Sequence, residues 1–210
     1  MTTRYHHGNL RAALIEAAAE LARAGGPDAV VLREVARVVG VSHNAAYRHF
    51  ADREEVLAEV GELAMAQLEQ AMLAGMAGVR ARDPRKRARD RLAATGRAYV
   101  TYALTNPGLF TVAFAGAAKH EAAEQAADAT GSGGPYGVLN GVLDELVEAG
   151  AMPAARRPSA DFTCWSAVHG YAGLHLASVP AGSMARVDPA LWEPGLQHLL
   201  DVLDRGLTAG

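Results

Sequence analysis

Apolar residues recur every three or four positions along most of this 210-residue chain, and strand-like alternation is nearly absent. That spacing lines one face of a helix and predicts an all-α protein. Leu10, Leu14, Ala17, Ala18 and Leu21 form a first stripe. Gly25-Gly26-Pro27 closes it with residues that tolerate left-handed backbone, followed by a breaker. A short second helix spans Leu32 to Val39 and is interrupted by Gly40. Ser42 is a good N-cap for a third, running to about Phe50. Asp52 precedes Glu55 at capping-box spacing. The helix it opens is long, with Val56, Val60, Leu63, Gln67, Leu68, Ala71 and Gly75 on one face. It links two expected domains, residues 1–57 and 58–210.

Arg80 to Arg91 is charge-rich and reads as a solvated face. Pro84 within it suits the first position of a helix. That helix carries Leu92, Tyr99, Val100 and Ala103 and stops before Asn106-Pro107-Gly108. A short helix from Leu109 to about Ala115 follows. Residues 117–134 are rich in Ala, Glu and Gly, and their end, Gly131-Ser132-Gly133-Gly134, reads as a mobile loop. Leu139, Leu143, Leu146 and Val147 mark another helix, closed by Gly150. Pro153 and Pro158 bracket a linker. A helix from Phe162 to about Val179 ends at Pro180-Ala181-Gly182, and Trp192, Leu196, Leu199, Leu200, Leu203 and Leu207 form the last stripe.

Composition adds limits. Half of the residues are hydrophobic, enough for a sizeable core. The net charge of −3 gives no global attraction to nucleic acid, so any such attraction must be local. One cysteine, Cys164, excludes an internal disulfide and fits a reducing compartment. The N-terminus lacks the apolar core of a signal peptide. No stretch reaches the ~18 apolar residues of a membrane span. The expectation is a soluble, cytoplasmic protein.

Residues 32–50 carry the clearest chemistry. Two short helices joined at Gly40 fit a helix-turn-helix. Small Ala36 allows close approach, and Val35, Val41 and Ala46 seal the contact. Gly40 supplies the positive φ of a tight turn. The outward face is then Ser42, His43, Asn44, Tyr47, Arg48 and His49, with small Ala45 permitting approach to a groove. Asn pairs bidentately with adenine, and Arg or His with guanine. Ser42, His43, Asn44 and Arg48 are the expected base readers. Tyr47, His49 and Arg53 are better placed for phosphates, Arg53 standing near a helix N-terminus whose amides also favour anions. Residues 1–57 hold seven arginines and seven acidic residues, so the segment is neutral. Four histidines, His6, His7, His43 and His49, lie at the expected contact surface, and Arg33 joins them from the preceding helix.

Gly40-Val41-Ser42, then Tyr47-Arg48-His49-Phe50, then Arg53-Glu54-Glu55-Val56-Leu57 resembles the DNA-binding domain of the TetR family of regulators. Tyr5-His6-His7-Gly8-Asn9-Leu10-Arg11 resembles the N-terminal arm of one subgroup, whose C-terminal domain is named for a Trp…His-Gly element. Here that element is Trp165-Ser166-Ala167-Val168-His169-Gly170. The resemblance implies a homodimer formed by the last two long helices as a four-helix bundle, reading a pseudo-palindromic double-stranded DNA operator. It also implies a small-molecule effector in the C-terminal domain, most often relieving repression; a ligand-independent regulator or an activator is the alternative. Three departures stand out: Val31 where Ser or Thr is common, Asn44-Ala45-Ala46 where Gly-Thr-Leu-like triplets are common, and Arg53 for Lys.

Other features keep two readings. Trp165 and His169 share a helix face, and Tyr99, Tyr102, Phe110 and Phe114 recur at helical spacing; all six line a ligand pocket or belong to a core or dimer interface. His6-His7 contacts DNA or is a solvated tail. Cys164 is a buried thiol or a redox sensor. No Ser-His-Asp set, phosphate loop or metal pattern stands out. Neither catalysis, a metal nor a cofactor is therefore expected.

Overall fold

The computed structural model describes residues 10–115, 133–178 and 188–208. Among them the regular structure is helical. The elements are α1 (Leu10–Gly25), a 3₁₀ turn (Pro27–Ala29), α2 (Leu32–Val39), α3 (His43–Tyr47), α4 (Arg53–Ala77), α5 (Pro84–Thr105), α6 (Pro107–Ala115), α7 (Gly134–Glu148), a second 3₁₀ turn (Ala154–Arg156), α8 (Ala160–Ala177) and α9 (Pro189–Thr208). The Tyr5–His7 arm, most of the 117–134 loop and Pro180-Ala181-Gly182 lie outside the described residues. No helix among the described residues is long and apolar enough to cross a membrane.

Contacts divide the chain into two compact units. The first holds α1 to α3, the start of α4 as far as Ala64, and α6. Of the expected core, Leu14, Ala18, Val35, Ala46 and Val56 are sealed from solvent, while Leu10, Leu21 and Val41 are half-buried. Helix α6 packs on α1. Gly108 makes that seat possible, because a Cβ there would lie 1.9 Å from the Ala22 carbonyl oxygen. The helix also begins at Pro107 rather than Leu109, since proline is welcome in a first turn.

The second unit holds α4 from Met65, α5, α7, α8 and α9. Helix α5 is central and packs on α7, α8 and α9. Pro84 opens it, and Asp83 accepts the Lys86 amide at 2.8 Å as the N-cap. Leu92, Leu139, Leu143, Leu146, Met152 and Cys164 belong to one buried cluster. Gly150 closes α7 at φ 66°. Helix α8 covers Ala160–Ala177, two residues ahead of its expected span at each end. Helix α9 continues through Pro194. The Tyr171 hydroxyl donates to the Trp192 carbonyl at 2.5 Å, beside the point where proline breaks the ladder. Phe162 and Leu174 on α8, and Leu191 on α9, are about 70% exposed in the single chain (69%, 73% and 71%).

Candidate nucleic-acid interface

Helix α2 ends in a left-handed Gly40 at φ 77°, and the Val41 amide turns back to the Ala36 carbonyl at 3.0 Å. This is the glycine-terminated cap that reverses a chain in few residues. Ser42 then caps α3, its hydroxyl accepting the Ala45 amide at 3.2 Å. Val31, by contrast, contributes no side-chain cap to α2. Ala36 and Ala46 are buried between the two helices. Phe50 is buried as well, with the Arg11 guanidinium 5.0 Å above its ring.

Helix α3 is shorter than expected. It ends at Tyr47, and Arg48 is its C-cap. The His49 and Phe50 amides both return to the Ala46 carbonyl, at 2.9 and 3.2 Å. Burying Phe50 takes precedence over another helical turn. The exposed set survives that change except at His49. Ser42, His43, Asn44, Tyr47 and Arg48 are all exposed, while Ala45 and His49 are half-buried. The His43 and Tyr47 rings meet edge-on at 4.5 Å, which fixes two large side chains on one side of α3.

The cations around this face differ in availability. Arg37 on α2 is held by Glu34 at 2.9 Å, and that hydrogen bond keeps the Glu34 carboxyl below its usual range. Arg11 is bound to Glu59 at 2.6 and 3.0 Å. Arg53 donates from Nε to the Val30 carbonyl at 2.9 Å and from a terminal nitrogen to Pro27 at 2.7 Å. Its guanidinium therefore ties the start of α4 to the 27–30 turn. Arg48 makes no ion pair among the described residues, and Arg33 is exposed on α2. Asp52 caps the Glu55 amide at 2.9 Å; the reciprocal bond runs from the Ala51 amide to Glu55 at 2.7 Å, one residue earlier than a standard capping box. His6 and His7 lie outside the described residues.

The six aromatic and histidine candidates further along separate into groups. Tyr99, Trp165 and His169 come together in the second unit. The Tyr99 hydroxyl and His169 Nδ1 are hydrogen-bonded at 2.7 Å, Tyr99 meets Trp165 edge-on at 5.1 Å, and Trp165 lies parallel to His169 at 6.5 Å. Burial lowers the His169 pKa and favours the neutral ring. Tyr102 instead donates to Gln67 at 3.4 Å. Phe110 and Phe114 pair with each other at 4.7 Å on α6, in the first unit. Tyr99 and Trp165 line a cavity of ≈30 Å³, with Thr95, Leu139, Cys164, Val168 and Leu200 among its other walls. Burial pushes the Cys164 thiol up to about 11, which disfavours the thiolate at neutral pH. Sequence reading missed Thr95, Arg89 and Asp204 at this cavity, because Arg89 sits in a charge run that looks like any solvated face. Among the described residues no group of three or more His, Cys, Asp or Glu is placed to hold a metal.

Two family models match the chain. Bacterial regulatory proteins of the tetR family match residues 14–60, and a tetracyclin repressor-like C-terminal domain matches residues 92–199. A solved protein of unknown function from Rhodococcus sp. RHA1 is 25% identical over 99% of this chain and 100% of its own, with a TM-score of 0.71. The TetR family transcriptional regulator PfmR from Thermus thermophilus is 22% identical over 94% and 96%, with a TM-score of 0.61. A bacterial regulatory protein in the tetR family from Rhodococcus RHA1 is 21% identical over 92% and 96%, also at 0.61. No protein with a curated description matches the sequence.

Proposed function

The chain belongs to the TetR family of DNA-binding transcriptional regulators, and from that premise we propose that it is a ligand-responsive repressor whose α3 enters the major groove of a pseudo-palindromic operator. It is a DNA-binding protein rather than an enzyme, and regulators of this family bind DNA operators and act as dimers. Its workplace is the cytoplasm.

The observation that carries the DNA reading is the split of α3 into two faces. Ala46 and, just beyond, Phe50 are anchored in the core, while His43, Asn44, Tyr47 and Arg48 stand in solvent. Arg48 and Asn44 are the base readers with the best bidentate chemistry. Ser42 and His43 accompany them at the start of α3, and small Ala45 leaves room for the groove edge. Tyr47, His49 and Arg33 contact phosphates. Arg53 acts through the turn it holds.

Two copies meet through α8 and α9, whose exposed Phe162, Leu174 and Leu191 suit an apolar helix-helix contact. An effector bound in the second unit favours a dimer with wrongly spaced recognition helices. Operator affinity then falls by the effector's differential affinity for the two states.

Selection of bound sequences from a random DNA pool tests the reading, followed by gel-shift titration of Arg48→Ala and Tyr47→Ala. Each substitution costs about 1–3 kcal/mol of operator binding and leaves dimerisation unchanged. Normal operator binding by both variants would sink the assignment.

A further inference from the structure

The ≈30 Å³ cavity beside Tyr99 and Trp165 has room for only a water or two. Next to it, between α5 and α9, lies a groove of ≈570 Å³. Cavity and groove share four wall residues: Arg89, Ala93, Leu200 and Asp204. Arg89 Nε donates to Asp204 at 2.8 Å, and a second guanidinium nitrogen reaches the other carboxylate oxygen. This bidentate pair spans the two helices at the boundary between the spaces. Gly96 packs close by; a Cβ there would lie 2.7 Å from Leu200. Leu200 lines both spaces from the α9 side.

The inner space offers no unpaired charge, because its two charged wall residues, Arg89 and Asp204, are bonded to each other. The rest of its walls are mostly apolar, among them Met72, Leu92, Leu139 and Val168. Its hydroxyls are already satisfied: that of Thr95 donates to the Arg91 carbonyl at 2.9 Å, and that of Tyr99 is hydrogen-bonded to His169. A charged ligand would lose its hydration there without compensation. An uncharged apolar one would gain by leaving water.

We propose that the effector is an uncharged, compact apolar molecule, such as a small arene, that enters from the α5–α9 groove past an Arg89–Asp204 gate and expands the inner cavity by displacing Leu200. Groove and cavity together fall within the ~300–1,000 Å³ of ordinary ligand sites. The inference rests on the ligand-responsive reading above and names the chemistry and route of that site.

The test uses the full chain with toluene, benzoate and benzylamine as probes. Calorimetry gives affinity, stopped-flow tryptophan fluorescence gives association rate, and operator gel shift is read in parallel. Toluene is expected to bind more tightly than either charged analogue. Asp204→Ala should speed toluene association several-fold with little change in Tm, because a half-exposed ion pair adds little stability. Ala93→Leu, which plugs the neck from the groove side, should slow it several-fold. Preference for benzoate or benzylamine overturns the inference. So does an association rate unmoved by both variants, or no toluene binding by wild type or Asp204→Ala. Toluene binding with these rate effects but unchanged operator affinity upholds the gated apolar site and removes the repressor mechanism instead.

Discussion

The Arg53 guanidinium touches the Val30 and Pro27 carbonyls at 2.9 and 2.7 Å, and that geometry changes what the residue does. A phosphate contact and a turn clamp make different demands on a variant. As a clamp, Arg53→Ala leaves two partly buried carbonyls without their donors and lowers Tm, at a cost of about 1–3 kcal/mol. Its salt dependence of DNA binding then stays close to that of the native protein. A direct phosphate contact would instead reduce the slope of log K against log salt by about one with Tm unchanged. Thermal melting and a salt titration of this variant decide between the two. His169 gives a second residue-scale test. Burial depresses its folded pKa below the ordinary 6.5, so the unfolded chain binds the extra proton more readily. The stability due to keeping this ring neutral is fully present above about pH 6.5 and is lost as pH falls through the folded pKa. Between pH 7.5 and 5.5 the wild-type Tm should fall further than that of His169→Asn, whose amide can still hydrogen-bond the Tyr99 hydroxyl. Equal falls would remove His169 as the cause.

At the scale of elements, Gly108 is the sharpest constraint. Its missing Cβ lets α6 lie on the Ala22 carbonyl of α1, where an added methyl would sit at 1.9 Å. Gly108→Ala must therefore push α6 away from α1, at a cost of about 1–3 kcal/mol. The expected result is a clear drop in Tm; an unchanged Tm would mean that the seat yields freely. This contact also marks where sequence reading stops. Helix existence was legible because each stripe repeats at 3.6 residues, and α2 is bounded as expected since Gly40 ends it without ambiguity. The end of α3 was not, because Phe50 reaches the core from an irregular segment that continues the helical spacing. The start of α6 at Pro107 was hidden because proline reads equally as a stop and as a first turn. The attachment of α6 to α1 depends on residues more than eighty positions apart, which periodicity does not encode. Pro194 inside α9 is similar, since the Tyr171 hydroxyl beside it comes from another helix. The exposed face of α3 was legible at Ser42, His43, Asn44, Tyr47 and Arg48 but not at half-buried His49, and the availability of each cation was not legible. Whether an arginine is already spent on Glu34, Glu59 or a carbonyl is decided by tertiary contacts alone.

For the whole molecule, a dimer formed through α8 and α9, as proposed above, would tie assembly to operator binding. Phe162 and Leu174 are 69% and 73% exposed in the single chain, so neither contributes much to the protomer's own core. If two copies meet there, each side chain is buried only in the dimer. Leu174→Asp then places a carboxylate in an apolar contact, where an unpaired charge is strongly disfavoured. The variant should sediment as a monomer, with the helical circular dichroism and Tm of an intact protomer measured at low concentration. Its affinity for the full operator should collapse towards that for a single half-site, because one α3 in a groove no longer brings the second to high effective concentration. Arg48→Ala has the opposite pattern, a dimer that no longer binds DNA well. The two variants mixed together give no rescue, since neither supplies a protomer competent in both respects. A Leu174→Asp protein that remains dimeric and binds its operator normally would move the interface to another surface of the second unit.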